Sequence, residues 1–266
     1  MSDLNKVTSQ APNVLDRFNL TGKTALVVGG SKGLGQAMAV ALAGAGSDVC
    51  IASRGPDGLQ ETEDAITKMG RKGYHVAVDV TQEQQVVRLV EEVKSEFGGI
   101  DILVNSQGTV FLDAITDFPV DTWQWIMDVN VKSIFLCCKH IGKLMLAKGQ
   151  GKIINISSVR GFQGRAGDPA YAPSKGAVNQ LTRSLAIEWG PKGINVNAIA
   201  PVFTYTAISR SFLEDEKKRN WVLSRIPMKR VGELDDLFGP VIFLASEASN
   251  FVNGHVLPVD GGWLAA

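Results

Sequence analysis

A short apolar run, Thr24-Ala-Leu-Val-Val28, leads straight into Gly29-Gly-Ser-Lys-Gly-Leu-Gly35, and an alanine-rich segment follows to about Gly46. No other stretch limits the fold as tightly. An uninterrupted, β-branched apolar run of this length reads as a strand buried on both faces. Glycines allow the sharp turn after it and let another group approach the backbone closely. A helix starting there offers free N–H groups and the positive end of its dipole to whatever sits in the turn. Strand, glycine loop and helix in this order predict a phosphate-binding turn made by Gly29, Ser31, Lys32, Gly33, Leu34 and Gly35. The spacing is G-x3-G-x-G rather than the commoner G-x-G-x-x-G, and a plain helix-start turn would also use glycines.

The alternation continues to the end of the chain. Strand-like runs stand at Asp48–Ser53, Tyr74–Asp79, Asp101–Asn105, Lys152–Ser157, Ile194–Ile199 and His255–Val259. Helical patterning covers about 57–70, 82–97, 121–147, 171–190, an excursion over 205–228, and 233–246. Strands alternating with helices predict an α/β fold on one parallel sheet of about seven strands, with helices on both faces. No repeat, low-complexity tract or linker interrupts the pattern, so 20–266 reads as one domain. Residues 1–19 are polar and aperiodic and read as an arm over the surface.

Charge and cysteine usage exclude several classes. Lys+Arg and Asp+Glu both count 27, so no basic footprint marks a nucleic-acid partner or an acidic membrane surface. No apolar run approaches the ~18 residues of a membrane span. Three cysteines (Cys50, Cys137 and Cys138) form no disulfide framework, and the three histidines are scattered, so no metal site is expected. The start of the chain lacks a charged-then-apolar signal pattern. A cytoplasmic enzyme or binding protein acting on a small molecule is the class that remains.

Two local patterns carry chemistry. The second strand ends at Ser53-Arg54, about where dinucleotide folds place an acid against the ribose 2′-hydroxyl. A hydroxyl and two cations, Arg54 and Lys32, would attract a 2′-phosphate that an acid repels. The pattern predicts NADP(H) over NAD(H), the alternative being that both cations are solvated surface residues. Tyr171-Ala-Pro-Ser-Lys175 puts a phenol and an ammonium at i and i+4, on one face of a helix. A nearby cation favours the phenolate, so such a tyrosine can move a proton to or from an alcohol oxygen. A surface tyrosine packed on a lysine stem would give the same pair.

Taken together, these motifs resemble the short-chain dehydrogenase/reductase family from about residue 20 to 263. The resemblance rests on the glycine loop 29–35, Asp79-Val80, Asn105-Ser-Gln-Gly108, Asn130, Ser157-Ser158, Tyr171-x3-Lys175 and Asn197-Ala-Ile-Ala-Pro201, in that order. It implies a Rossmann-type doubly wound sheet and hydride transfer between a nicotinamide and a secondary alcohol or ketone. It further implies Tyr171 as acid/base and Lys175 as the residue that lowers its pKa and holds the nicotinamide ribose. Ser158, thirteen residues before the tyrosine, matches the group that bonds the substrate oxygen, with Ser157 the rival. Asn130 matches the anchor of a relay water, although a mid-helix asparagine can also simply bond backbone. Asp79 and Val80 match the adenine pocket and Asn105 the ribose wall. Pro201, Thr204 and Thr206 match the nicotinamide side. The chain departs from the pattern at Val28, Ser106, Gln107 and Val202, which bear on the cofactor's pose.

The resemblance also makes 203–231 a substrate lid. Within reach of it, Gln107, Arg165 and Trp221 are candidate substrate contacts suited to a polyhydroxylated or acidic ligand, although Trp221 could equally be core and Arg165 a loop salt-bridge partner. In texture the chain is nearest gluconate-type sugar dehydrogenases, with 3-oxoacyl-carrier-protein reductases the alternative. A non-catalytic NADP(H) sensor is the alternative of another class. The family's habit implies a homotetramer or homodimer, and Ile134-Phe-Leu-Cys-Cys138 with Trp123 and Trp125 is compatible with an interface.

Overall fold

The structure is a computed structural model that describes residues 13–266. Most of the arm expected over 1–19 lies outside the described residues. Within it Val14–Phe18 forms a 3-10 turn, and the Phe18 ring lies 6.4 Å from that of Phe243.

Seven strands form one parallel sheet: β1 (Thr24–Val28), β2 (Asp48–Ser53), β3 (Gly73–Ala77), β4 (Ile102–Asn105), β5 (Gly151–Ile156), β6 (Ile194–Pro201) and β7 (Val256–Val259). Their order is β3-β2-β1-β4-β5-β6-β7. The expected α/β Rossmann-type sheet therefore forms, with its topological reversal between β1 and β4. Ligands of open parallel sheets bind in the crevice at such a reversal, outside the carboxyl ends of the strands. Register aligns those ends: Val28 stands opposite both Ala52 and Asn105, and Asn105 opposite Asn155.

Alternation within each strand divides the core between the two faces. Leu26, Val28, Leu103 and Ile153 point to one cluster, with Cys137, Ile141 and Val178. Ala25, Val27, Ile102, Val104 and Ile154 point to the other, with Met38, Leu42 and Val241. All five residues of β1 are buried, which is why the strand reads as continuous apolar sequence. The first face carries α3 (Glu83–Phe97), α5 (Ser133–Lys148) and α6 (Tyr171–Trp189). The second carries α1 (Gly33–Gly44) and α9 (Phe238–Ala245), while α2 (Leu59–Lys68) contributes Leu59 and Ile66.

Three helical expectations are refined. The rod expected over 121–147 is α4 (Val120–Met127) and α5, joined by a π-helical turn at Asp128–Lys132 that contains Asn130. The 205–228 excursion is two short helices, α7 (Ala207–Glu214) and α8 (Glu216–Arg225). Thr206 caps the first and Asp215 the second, each side chain accepting a backbone N–H of the first turn. The helix expected from 233 opens as a 3-10 turn, Leu234–Leu237, before α9.

Candidate active site

The turn after β1 is built by close approach. Gly29 has φ of 79°, and a Cβ there would sit 2.8 Å from the Gln107 backbone nitrogen. A Cβ on Gly35 would run into the Gly29 carbonyl. The loop therefore folds flat against the start of the β4 loop, and α1 begins at the sheet's reversal point. Ser31 and Ser53 join the turn to the end of β2 through hydroxyls 2.9 Å apart. Lys32 and Arg54 are exposed beside them, and neither makes an ion pair among the described residues.

A cavity of about 330 Å³ opens at the carboxyl ends of β1, β4, β5 and β6. Its lining includes Lys32, Gly33, Leu34, Gly35, Ser158, Tyr171, Lys175, Pro201, Thr204 and Thr206, so residues far apart in the chain meet there. Most of its wall is apolar, from Val110, Leu112, Ile156, Val202 and Phe203 among others.

Tyr171 is the first residue of α6, whose N-terminus is fixed from outside the helix. Asp168 accepts the Ala172 N–H at 3.0 Å, and Ser174 donates to the Tyr171 carbonyl at 2.6 Å. The Ser174 hydroxyl also accepts from Asn130 at 3.0 Å. Fully buried Asn130 clasps both backbone groups of Thr109, donating to its carbonyl at 2.9 Å and accepting its N–H at 2.8 Å. The π-helical turn and the first turn of α6 are thus tied together with the β4 loop between them. A Cβ on Gly108 would lie 3.5 Å from Lys175 Nζ and 3.6 Å from Asn130 Oδ1, so that glycine separates the two groups.

The neighbouring serines divide. Ser157 donates to Asn179 at 2.5 Å and to the Lys175 carbonyl at 3.3 Å, which ties the end of β5 to α6. Ser158 accepts the Arg160 N–H at 3.1 Å and lines the cavity with Tyr171, whose pKa it lowers. The Ser157 hydroxyl is engaged by Asn179, which leaves Ser158 as the serine that acts on the tyrosine.

The electrostatics correct one expectation. Burial pushes the Tyr171 phenol above its ordinary value, Ser158 pulls it back, and Asp168 adds to the rise. Lys175, expected to hold the phenol down, has Nζ 5.6 Å from the ring centroid and donates to the Ile156 carbonyl at 2.8 Å. Burial pushes this ammonium down to about 8. Desolvation outweighs the i, i+4 pairing because both groups are taken out of water together.

Other expected site residues stand at the same sheet edge without lining this cavity. Ser53 ends β2, Arg54 follows it, and Asp79 and Val80 follow β3. The Asp79 carboxylate accepts the Thr81 N–H at 3.0 Å, and the Val80 side chain packs into the core. Asn105 is fully buried, donating to Asn155 at 2.9 Å. Gln107, expected at the substrate, is a correction: its side chain is buried and donates to Ser133 at 3.0 Å, away from the cavity. Arg165 and Trp221 are also absent from its wall and line an adjoining hollow. Sequence reasoning passed over Arg160, which lines both spaces together with Phe212 of the lid stretch. Only the folded Val159–Gly161 turn reveals it.

The residues present suit a dinucleotide phosphate. The glycine cradle would be filled by any Cβ at Gly29 or Gly35, and two unpaired cations flank a hydroxyl pair at the β2 end. Asn105 Oδ1 and Gln107 Oε1 are buried without hydrogen-bond partners among the described residues.

A family model described as enoyl-(acyl carrier protein) reductase matches residues 28–264. The chain is 45% identical to 2-dehydro-3-deoxy-D-gluconate 5-dehydrogenase of Bacillus subtilis (strain 168), covering 94% of this chain and 98% of that one. It is 36% identical to gluconate 5-dehydrogenase of Gluconobacter oxydans (strain 621H), covering 93% and 96%. Among solved structures, a gluconate 5-dehydrogenase from Burkholderia cenocepacia J2315 in complex with NADP and tartrate superposes with a TM-score of 0.92 at 37% identity, covering 96% of this chain and all of that one.

Proposed function

The chain belongs to the short-chain dehydrogenase/reductase family, and on that premise we propose that it exchanges a hydride between NADP(H) and a secondary alcohol or ketone of a polyol or sugar derivative. The observation that carries the reading is the convergence of Tyr171, Ser158 and Lys175 in one cavity with the Lys32–Gly35 turn. The names of the relatives favour sugar-acid chemistry over an acyl-carrier substrate. A catalytic set complete at Ser158, Tyr171, Lys175 and Asn130 favours an enzyme over a sensor.

Bound NADP(H) supplies or accepts the hydride at its nicotinamide. Tyr171 moves the proton at its phenol oxygen. A phenol pushed up by burial is protonated near neutral pH, the state needed to donate to a ketone being reduced. Ser158 donates to the same substrate oxygen and stabilises its developing charge. Lys175 holds the nicotinamide ribose through its ammonium. Asn130 and Lys175 hold a relay water between them at Gly108. Ser31, Lys32, Ser53 and Arg54 hold the 2′-phosphate, while Gly29, Gly33, Leu34 and Gly35 let the pyrophosphate approach. Asp79 and Val80 border the adenine, and Asn105 contributes through its backbone. Pro201, Thr204 and Thr206 border the nicotinamide, beneath a lid formed by 203–231.

No helix among the described residues is long and apolar enough to cross a membrane. A cytoplasmic homotetramer or homodimer completes the reading. It is supported by exposed Trp123, Trp125 and Phe135 on α4 and α5. The test is turnover of a panel of sugar acids, polyols and ketones followed at the nicotinamide absorbance. Tyr171→Phe should keep NADP(H) binding and lose turnover, and full turnover in that variant would remove Tyr171 from the chemistry.

A further inference from the structure

Beside the catalytic cavity lies a second hollow of about 540 Å³, walled by Arg160, Arg165, Lys217, Lys218 and Arg225 over Phe212, Trp221 and Trp263. Among the described residues, no acidic side chain lines it. Of the five cations, only Lys218 makes an ion pair among the described residues, with exposed Asp215 at 3.7 Å. The aromatic rings hold the cations in place. Arg160 and Arg225 lie over Trp263 at 5.5 and 5.4 Å, and Arg165 and Lys218 lie over Phe212 at 5.4 Å each. The rings meet one another, Trp221 and Trp263 edge to face at 5.8 Å.

Gathering like charges has a cost. Burial disfavours the Arg160 charge, Arg165 and Arg225 disfavour it further, and Asp168 offsets part of this. Lys217 and Lys218 stand in the first turn of α8, where the helix dipole also opposes cations. Such an arrangement is relieved by an anion. The shape narrows the choice. The hollow is aromatic-walled and adjoins the catalytic cavity, which suits the end of a small molecule that reaches from one into the other. It also shares Arg160 and Phe212 with the catalytic cavity, and Arg160 is near enough to Tyr171 for the two charges to interact. A substrate oxidised or reduced at Tyr171 can therefore extend past Arg160 into the basic hollow.

We infer that this hollow is an anchor for a doubly charged end group, a phosphate, on a substrate whose reacting carbon lies at Tyr171. The inference rests on the dehydrogenase reading and sharpens it. A single carboxylate is satisfied by one arginine fork. Five converging cations with one paired among them suit a doubly charged group. A neutral polyol gains nothing from them.

The experiment compares D-gluconate, D-glucarate and 6-phospho-D-gluconate at saturating NADP+, with wild type and with Arg165→Gln/Lys218→Gln. 6-Phospho-D-gluconate should exceed both gluconate and glucarate in kcat/KM by about tenfold or more, carried in KM, and the double variant should bring the ratio close to one. Glucarate, with a single carboxylate at each end, separates a doubly charged end from a second singly charged one. A wild-type ratio near one, or a preference that survives the double variant, overturns the inference. A second readout does not depend on turnover. In Tyr171→Phe with saturating NADP+, 6-phospho-D-gluconate should change tryptophan fluorescence, and raising the salt or introducing the double variant should abolish the change. Its binding there without turnover by wild type on any substrate would leave the anchor standing and remove the dehydrogenase reading. An acidic acyl carrier protein binding this face while 6-phospho-D-gluconate does not would overturn the anchor.

Discussion

Lys175 concentrates the cost of the site in one residue. Its side chain is 3% exposed, its ammonium donates to the Ile156 carbonyl, and no carboxylate pairs with it among the described residues. Burial pulls its pKa from 10.5 to about 8, so the unfolded chain binds the proton more tightly than the fold does. Below pH 8 both states carry the proton and the fold bears the full penalty, on the order of 3 kcal/mol at 1.36 kcal/mol per unit. From pH 8 to 10.5 the native lysine is neutral while the unfolded one is charged, and the penalty falls away. Lys175→Met should therefore be more stable than wild type at pH 7, by up to that amount less the lost bond to Ile156. The advantage should shrink by about 1.4 kcal/mol per pH unit above 8. Urea unfolding at pH 7, 8 and 9 measures it, and an advantage independent of pH would show that burial of the charge is not its source. Turnover should be lost throughout. The position of Lys175 was legible from spacing, but its energetics were not. The i, i+4 rule records which side chains are neighbours and is silent on how far both are taken from water. Gln107 was misread for a related reason, since a one-residue change in how the β4 loop leaves the sheet decides whether a side chain meets the cavity or Ser133.

At the scale of elements, the site depends on how α6 begins. Its N-cap position, Ala170, offers no side-chain acceptor, and Asp168 supplies one by reaching to the Ala172 N–H. The same carboxylate raises the Tyr171 pKa. These two roles separate by substitution. Asp168→Ala removes the cap and should cost about 1 kcal/mol of stability. Asp168→Asn keeps an acceptor oxygen and loses the charge. It should retain most of the stability and move the pH at which alcohol oxidation reaches half its maximum to lower values, because a neutral neighbour no longer opposes the phenolate. A pH–rate profile unmoved in Asp168→Asn, with the cap intact by thermal melting, would confine Asp168 to structure. The helices themselves were legible because amphipathic periodicity reports burial on one side. The π-helical turn at Asp128–Lys132 was not, since its cause is the clasp of Asn130 on Thr109, a residue 21 positions away. The basic hollow was hidden in the same way. Lys217 and Lys218 look like a solvated helix face in sequence, and only the packing of α7 and α8 against Trp263 turns them towards Arg160 and Arg165.

For the whole molecule, strand alternation settled the sheet because a parallel strand covered on both faces leaves a continuous apolar run. The strand order places the groups proposed to hold NADP(H) at the ends of β1, β2, β3, β4, β5 and β6 and in the segments after them, from Gly29 to Thr206. A ligand touching all of these bridges both halves of the sheet, so its binding should stabilise the global unfolding transition rather than one loop. At a concentration one hundred times its Kd, NADP+ should add about 2.7 kcal/mol. For a domain of this size that corresponds to roughly 5–10 °C in Tm. NAD+ at the same concentration should add markedly less, because Ser31, Lys32, Ser53 and Arg54 find no 2′-phosphate. The double variant Lys32→Ala/Arg54→Ala should bring the NADP+ shift down to that of NAD+ while leaving the NAD+ shift in place, since the pyrophosphate still meets the α1 N-terminus through backbone N–H groups. Equal shifts for the two dinucleotides in wild type would mean that Lys32 and Arg54 are solvated surface cations. A loss of both shifts in the variant would mean that these cations serve the pyrophosphate and not the 2′-phosphate.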